Sequence, residues 1–443
     1  MEPVVTMDKL VSLCKRRGYI YQSSEIYGGL SSAWDYGPLG VELKNRIAQF
    51  WWKEMTQLHD NIVGIDAAIM MHPRVWEASG HVANFSDPLV ECKGCQMRFR
   101  EDQLPEKNRA SRQCPNCGKE LTEPRKFNLM FKTHIGPVED AASIVYLRPE
   151  TAQGIYVNFK NVTNTTRVKI PFGIAQIGKA FRNEITTKNF IFRTCEFEQM
   201  EMQFFVRPSE DEKWFEYWKA ERLKYYSKIG VRPEKLRFHQ HGKDELAFYA
   251  KKAFDVEYEF PFGWSEIEGI HNRTDYDLKQ HTEYSGKDLT WLDEETKERF
   301  LPFIIETSAG LTREVLVVLA DAYDEDEAQG EKRVVLRLHP AIAPVTAGVF
   351  PLVKKDGLAE LARKIELDLR EDYPTFYDES GAIGRRYRRQ DEAGTPYGVT
   401  VDYQTKEDDT VTLRFRDSME QVRVKVGELT SRIRSEIKNY KRS

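Results

Sequence analysis

Ile177-Gly178-Lys179-Ala180-Phe181-Arg182-Asn183-Glu184, then the polar turn Thr186-Thr187-Lys188-Asn189, then a second run from Phe190 to Val206, is the stretch that decides the fold. From Arg167 to Val206 the residues alternate on either side of the turn, which predicts an antiparallel pair of strands. A side-chain period of two sends Arg182 and Glu184 to one side. On the returning strand it groups Arg193, Phe197 and Glu201 on one face and Phe192, Met200, Met202 and Phe204 on the other. One face is apolar and its opposite is chemical. An arginine, a stackable ring and carboxylates converging across a hairpin suit a nucleotide, with Arg on phosphate and Phe on the base. By parity alone, a solvated sheet face is the favoured reading.

Working outward, Phe254 to Phe260 and Phe303 to Glu306 are β-like, and Glu210 to Ile229 is helix-like. Strands and helices interleaved without a βαβ repeat predict an antiparallel α+β domain. Upstream, Leu43, Ile47, Phe50, Trp51, Met55 and Leu58 recur at helical steps, so Gly40 to Leu58 reads as an amphipathic helix. An extended segment from Ile62 to Met71 follows and stops at Pro73. The paired Trp51 and Trp52 fit a core helix or a subunit interface. Downstream, Glu306 and Ser308 share a strand face, Gly310 gives a turn, and Leu311 opens a helix with Arg313 in its first turn. A cation there opposes the helix dipole and suits an anionic partner, with a simple surface arginine equally open.

The chain has 443 residues, with 66 Lys+Arg against 70 Asp+Glu and a net charge of −4, which argues against coating polyanions by bulk basicity. The longest apolar run, Val315 to Ala320, is far short of the roughly 18 residues of a membrane span. Met1 to Tyr21 carries Lys15, Arg16 and Arg17 but no apolar signal region, so a cytoplasmic protein is expected. An acidic stretch, residues 324–331, reads as a linker between a domain at 1–323 and an α/β domain at 332–443. That second domain reads as strands near Val334 to Leu338, Val399 to Tyr403 and Val411 to Phe415, with helices at Leu358 to Leu369 and from Met419 onward. It holds 22 Lys+Arg and 18 Asp+Glu, a net of +4, against −8 for the remainder. Its cluster of Arg385, Arg386, Arg388 and Arg389 suits RNA phosphate. Cys92-x2-Cys95 and Cys114-x2-Cys117 present two thiolate pairs with the spacing of a closed four-sulfur site, within an insertion of about 88–125. Structural zinc is the first expectation, with an iron–sulfur cluster as the alternative.

Three of these blocks resemble the signature motifs of class II aminoacyl-tRNA synthetases: Gly37 to Pro73, Phe181 to Glu184 with its return strand, and Gly310 to Arg313. Further wording is similar to the homodimeric glycyl-tRNA synthetase family: Trp34-Asp35-Tyr36-Gly37-Pro38-Leu39-Gly40, Trp76 to His81, Arg148 to Gly154, and Gly263-Trp264-Ser265-Glu266. Residues 332–443 resemble the anticodon-binding domain of related synthetases through Ala343-Pro344 and Gly384 to Tyr387. The resemblance implies an ATP-dependent ligase that activates glycine and transfers it to tRNA(Gly), with ATP, Mg²⁺ and structural Zn²⁺, working as a homodimer away from membranes.

It implies Arg182, Glu266 and Arg313 as catalytic residues and places the nucleotide on Arg182, Asn183, Glu184, Phe192, Arg193, Phe197, Glu266, Ile267, Gly310, Leu311, Thr312 and Arg313. Adenine would stack on Phe197, and Mg²⁺ would bridge Glu266 to the triphosphate. Glycine falls to Arg100, Glu150, Phe197, Glu198, Gln199, Met200, Glu201, Glu306, Thr307, Ser308, Ala309 and Gly310, with Arg273 orienting the acids. Cys195 and Thr307 depart from the family's usual residues. An accessory protein of the same fold that binds nucleic acid without catalysis is the alternative.

Overall fold

A computed structural model describes residues 5–30, 32–247, 249–328 and 330–442. Its centre is a seven-stranded sheet whose strands, numbered along the chain, are β1 (Ile62–Gly64), β2 (Phe172–Phe181), β3 (Glu196–Val206), β4 (Leu236–Gln240), β5 (Lys252–Phe260), β6 (Gly263–Thr274) and β7 (Phe303–Gly310). Their order is β4-β5-β6-β7-β3-β2-β1. All neighbours are antiparallel except β1, which runs parallel to β2 at one edge.

The two faces of β3 account for the layers. Met200, Met202, Phe204 and Val206 enter a core with Leu43, Ile47, Trp51 and Met55 of the Pro38–Thr56 helix, Phe215 and Trp218 of the Asp211–Lys228 helix, and Val315 and Leu316 of the Leu311–Ala322 helix. Trp51 is therefore a core residue, fully buried. Burying a large aromatic side chain contributes about 1.5–3 kcal/mol, and several of them fix the helices against the sheet. On the opposite face one end is covered, where Ala152, Ile155, Tyr156 and Phe159 pack on Phe172, Ile174, Phe205 and Ile304. Beyond it that face carries a cavity.

The first segment of the returning arm is not strand. Phe190–Phe192 forms a 3₁₀ turn and β3 begins at Glu196, so strand parity does not govern Phe192 or Arg193. The cysteine-rich insertion is a three-stranded sheet of Ser86–Glu91, Arg98–Arg100 and Arg125–Asn128, with the cysteines at one end.

The acidic stretch expected as a linker, apart from Gln329, which lies outside the described residues, is largely a strand. Tyr323–Ala328 pairs with Glu331–Leu336 as a hairpin. Its charge is neutralised locally: Arg337 donates to Asp324 and Asp326 at 2.7 Å each, and the buried Arg333 donates to Asp326. Beyond it a five-stranded mixed sheet, ordered Thr375–Tyr377, Ala347–Pro351, Tyr397–Val401, Thr410–Phe415 and Gln421–Lys425, has its own core under the Leu358–Arg370 and Leu429–Asn439 helices. The expected helix from Met419 therefore begins only at Leu429. Val422 and Val424 alternate with polar neighbours, and Gln421–Lys425 pairs as the edge strand.

The two parts touch. Glu392 accepts from Arg16 at 3.0 Å and from Arg17 at 2.7 Å, and the Tyr19 hydroxyl donates to the Ala393 carbonyl at 2.9 Å.

Candidate active site

The open sheet face carries a cavity of about 170 Å³ lined by charged, polar and aromatic side chains. Cross-strand register brings its side chains together: Glu201 of β3 lies opposite Ser308 of β7, Gln203 opposite Glu306, and Gln199 opposite Gly310. Of the residues singled out in the sequence, Glu150, Arg182, Glu184, Phe192, Arg193, Phe197, Glu198, Gln199, Glu201, Glu266, Arg273, Glu306, Ser308, Gly310, Thr312 and Arg313 line it.

The others do not line it. Met200, Ala309, Ile267 and Leu311 belong to the core behind the sheet, because odd and even strand positions point to opposite faces. Thr307 is fully buried opposite Met202 on that same far face. Asn183 lies just past the end of β2, its N–H bonded to the Leu129 carbonyl at 2.7 Å. Arg100 sits in the insertion sheet opposite Leu89, where Asp87 and Asp102 each hold its guanidinium at 2.7 Å. Arg98, its neighbour, pairs with Glu91 at the surface.

One end of the cavity is cationic and aromatic. Arg182 donates to the Pro149 carbonyl at 3.0 Å, and its guanidinium centre lies 5.2 Å from the Phe197 ring and 5.3 Å from that of Phe85. Arg313 lies over Phe192 at 4.6 Å, donates to the carbonyls of Phe192 and Glu266, and contacts the Glu266 carboxylate at 3.2 Å. These arginines, fixed by backbone carbonyls and rings, are preorganised donors for phosphate oxygens. Thr312 accepts the Glu198 N–H at 3.0 Å, and Lys44 holds the Glu198 carboxylate at 2.5 Å, which anchors the edge beside Phe197.

The other end is acidic. Glu201 accepts from Ser308 at 2.7 Å, from Gln199 at 3.2 Å and from Thr151. Glu306 accepts from Gln203 at 2.9 Å and from Arg273 at 3.0 and 3.2 Å, and Arg273 is itself held by Asp277 at 2.8 Å. Glu150 accepts from Gln153 at 2.9 Å and lies 3.3 Å from His81. Burial, then the charges of Glu306 and Glu150, pushes the Glu201 carboxyl up to about 8. Burial opposes ionisation of Glu306 too, but Arg273 and His271 outweigh it and bring that carboxyl down to about 2. Glu150 is likewise held well below the usual carboxylate range against its burial, chiefly by His81. Three carboxylates crowded together cannot all ionise freely, and Glu201 is the one whose proton affinity is raised.

Five lining residues, Ile191, Thr194, Tyr249, Gly269 and His271, were not indicated by sequence patterning. For Gly269 and His271 the reason is a β-bulge in β6. Glu257 pairs with Glu266 and Val256 with Glu268, so Ile267 is the extra residue. Bulges of this kind re-aim side chains. Here the shift lets Glu266 share the cavity face with Gly269, His271 and Arg273, which an unbroken period of two would have placed opposite it. Register with Glu306 was the one signal that could have indicated His271, its direct cross-strand partner.

In the insertion, the four Sγ atoms of Cys92, Cys95, Cys114 and Cys117 lie within 4.8 Å of one another. The closest pairs are Cys92 with Cys117 at 3.4 Å and Cys95 with Cys114 at 3.7 Å. A tetrahedron of sulfurs about 2.3 Å from zinc has edges of about 3.8 Å, so the donor set fits that ion. The N–H groups of Cys95 and Gly94 point at Cys92 Sγ from 3.4 and 3.3 Å and hold its thiol down at about 6, which favours the thiolate a metal requires.

In the C-terminal part, the basic cluster is only partly available. Arg385 is exposed, whereas Arg386 is buried and spent on the carbonyls of Pro351, Glu379 and Gly381, and Arg389 is paired with Asp378.

An antiparallel sheet with one parallel edge strand, an arginine just past the end of β2 and another in the helix after β7 define the catalytic core of a class II aminoacyl-tRNA synthetase. The family model for the tRNA synthetase class II core domain (G, H, P, S and T) matches residues 131–322, and the anticodon binding domain model matches 344–436. Glycine–tRNA ligase of Treponema denticola is 68% identical, covering 99% of this chain and 99% of its own. Its namesake from Borreliella burgdorferi is 60% identical over 99% of each, and that from Treponema pallidum 59% identical over 98% of this chain and all of its own. The chain belongs to the glycine–tRNA ligase family.

Proposed function

We propose that the chain is an active glycine–tRNA ligase. The observation that carries this reading is the division of a single cavity into a cationic, aromatic end and a buried three-carboxylate end. ATP with Mg²⁺ is the energy source of this enzyme class. In the first step a glycine carboxylate oxygen attacks the α-phosphorus of ATP and pyrophosphate leaves. In the second, a terminal ribose hydroxyl of tRNA(Gly) attacks the glycyl carbonyl and AMP leaves.

Arg182 takes the α-phosphate, where negative charge grows in the first transition state, and Arg313 takes the γ-phosphate. Fixed cations there lower the barrier without any covalent catalyst. Adenine stacks on Phe197 with Glu184 and Arg193 at its rim, and Glu266 faces the triphosphate with its Mg²⁺. Glu150, Glu201 and Glu306 receive the glycine ammonium, and Ser308 and Gln199 align Glu201 for it. Arg100, committed to Asp87 and Asp102, has no part in glycine binding on this reading.

Zinc on Cys92, Cys95, Cys114 and Cys117 supplies folding energy to the insertion and no chemistry. The C-terminal domain contacts the tRNA anticodon, with Arg385 an exposed cation of its cluster. The enzyme works in the cytoplasm as a homodimer. No helix among the described residues is long and apolar enough to cross a membrane.

A purely nucleic-acid-binding accessory protein has no use for two phosphate arginines facing three buried carboxylates. Glycine-dependent exchange of labelled pyrophosphate into ATP tests the reading, followed by glycylation of tRNA(Gly). Absence of exchange by folded protein would overturn it.

A further inference from the structure

Gly269, His271 and Arg273 of β6 face the cavity, and His271 lies directly across the ladder from Glu306. His271 Nδ1 stands 2.9 Å from Glu306 Oε2, at ion-pair distance. The ring does not stand upright on the sheet. It leans back over Gly269, where a Cβ would meet His271 Cε1 at 2.6 Å, so the imidazole fills the volume that a side chain at 269 would take. Gly269 is the residue that lets the ring lie there.

An ammonium held by Glu306 places its nitrogen about 2.8 Å from the carboxylate. The substrate Cα follows about 1.5 Å further on, and any substituent on that Cα falls within about 5 Å of the carboxylate oxygens. The His271 ring occupies part of that shell. A glycine has no substituent to lose contact with; every other amino acid must put at least a methyl group somewhere in it.

We propose that His271 is a specificity-determining residue of the amino-acid subsite, its ring excluding Cα substituents while Nδ1 steadies Glu306 for the substrate ammonium. This rests on the reading of the chain as a glycine-activating enzyme. The two parts of the role separate by substitution. His271→Asn keeps an N–H close to the Nδ1 position and removes the ring, whereas His271→Phe keeps the bulk and removes the nitrogen.

Pyrophosphate exchange is measured with glycine and with alanine, together with the KM for ATP. In His271→Asn the KM for glycine stays within about threefold of the parent, while the alanine-to-glycine ratio of kcat/KM rises at least about tenfold, the low end for a methyl group excluded by packing. In His271→Phe that ratio is kept and the KM for glycine rises about tenfold, the scale of one contact to a charged group. The KM for ATP stays within about twofold in both, which a general disturbance of the site would not allow. An unchanged alanine ratio in His271→Asn, or an unchanged glycine KM in His271→Phe, overturns the proposal. Thermal melting establishes folding, and His271→Ala reads the same alanine ratio should the asparagine variant not fold. If the parent enzyme itself exchanges nothing with glycine, the activity assignment fails instead, an outcome no His271 variant can mimic.

Discussion

Replacing Glu201 by glutamine should abolish a pH dependence that the free site builds into glycine binding. Burial and the neighbouring Glu306 and Glu150 push the Glu201 carboxyl up to about 8, so below that pH the empty site holds a proton there. An incoming ammonium favours the carboxylate, and the proton must leave as glycine binds. Each pH unit below the free-site value costs about 1.4 kcal/mol, a factor of ten in affinity. Glycine Kd should therefore rise about tenfold from about pH 8 to 7 and about a hundredfold to pH 6, and level off above about pH 8. Calorimetric titration at these pH values, in two buffers of different ionisation enthalpy, reads both the affinity and the proton released, close to one per glycine at pH 6. In Glu201→Gln both dependences vanish, and the affinity is weaker than the parent's by most at about pH 8, where the parent carries its charge. The sign carries over to stability. A folded value above the unfolded one means that Glu201 opposes folding increasingly as pH climbs from the ordinary carboxylate range to about 8, so the glutamine variant should gain relative stability over that window. A flat glycine Kd between about pH 6 and 8 in the parent, or binding without proton release at pH 6, would refute the assignment of the raised proton affinity to Glu201.

Arg313→Ala should lower the exchange rate about 10²–10³-fold, the usual cost of removing one preorganised charge-stabilising donor, with glycine Kd unchanged; exchange within about tenfold of the parent would remove Arg313 from the phosphate site. Cys92→Ser should lose the zinc found by elemental analysis of the parent, and with it the hydrogen-exchange protection of the insertion; a metal-free parent with normal protection would deny zinc a structural role. Arg222→Met leaves the buried Glu268 carboxylate its 2.8 Å hydrogen bond from Tyr226 but removes the cation that now lies 2.5 Å away, and should cost about 3–5 kcal/mol in urea unfolding, while a loss below about 1 kcal/mol would mean that the Tyr226 contact suffices to hold the charge.

Strand parity was a sound guide wherever the chain is a regular strand. It separated Met200, Met202 and Phe204, which reach the core, from Glu201, which faces the cavity. It lost its hold where the backbone departs from that period: at the 3₁₀ turn Phe190–Phe192, which brings Phe192 under Arg313, and at the Ile267 bulge, which aims His271 and Glu266 into the same space. Charge patterns were silent for a different reason. The acids from Asp324 read as a linker and the arginines from Arg385 to Arg389 as an RNA contact, but the sequence did not show that Asp324 and Asp326 answer to Arg333 and Arg337, or Arg386 to backbone carbonyls. A charge run carries no record of which partners folding will bring to it.

The sequence alone determined the hairpin, the spacing of the four cysteines, the arginine at the head of the last helix of the catalytic part, and through the wording of those blocks the synthetase class. These are local properties, set by periodicity and by residues a few positions apart. Which acid has its proton affinity raised, which arginine is exposed, and that His271 leans against Glu306 were decided only by the tertiary structure. Glu150, Glu201 and Glu306 come from separate segments, and a carboxyl's proton affinity depends on burial and on charges a few ångströms away. Those distances exist only once β3, β6 and β7 have been laid side by side.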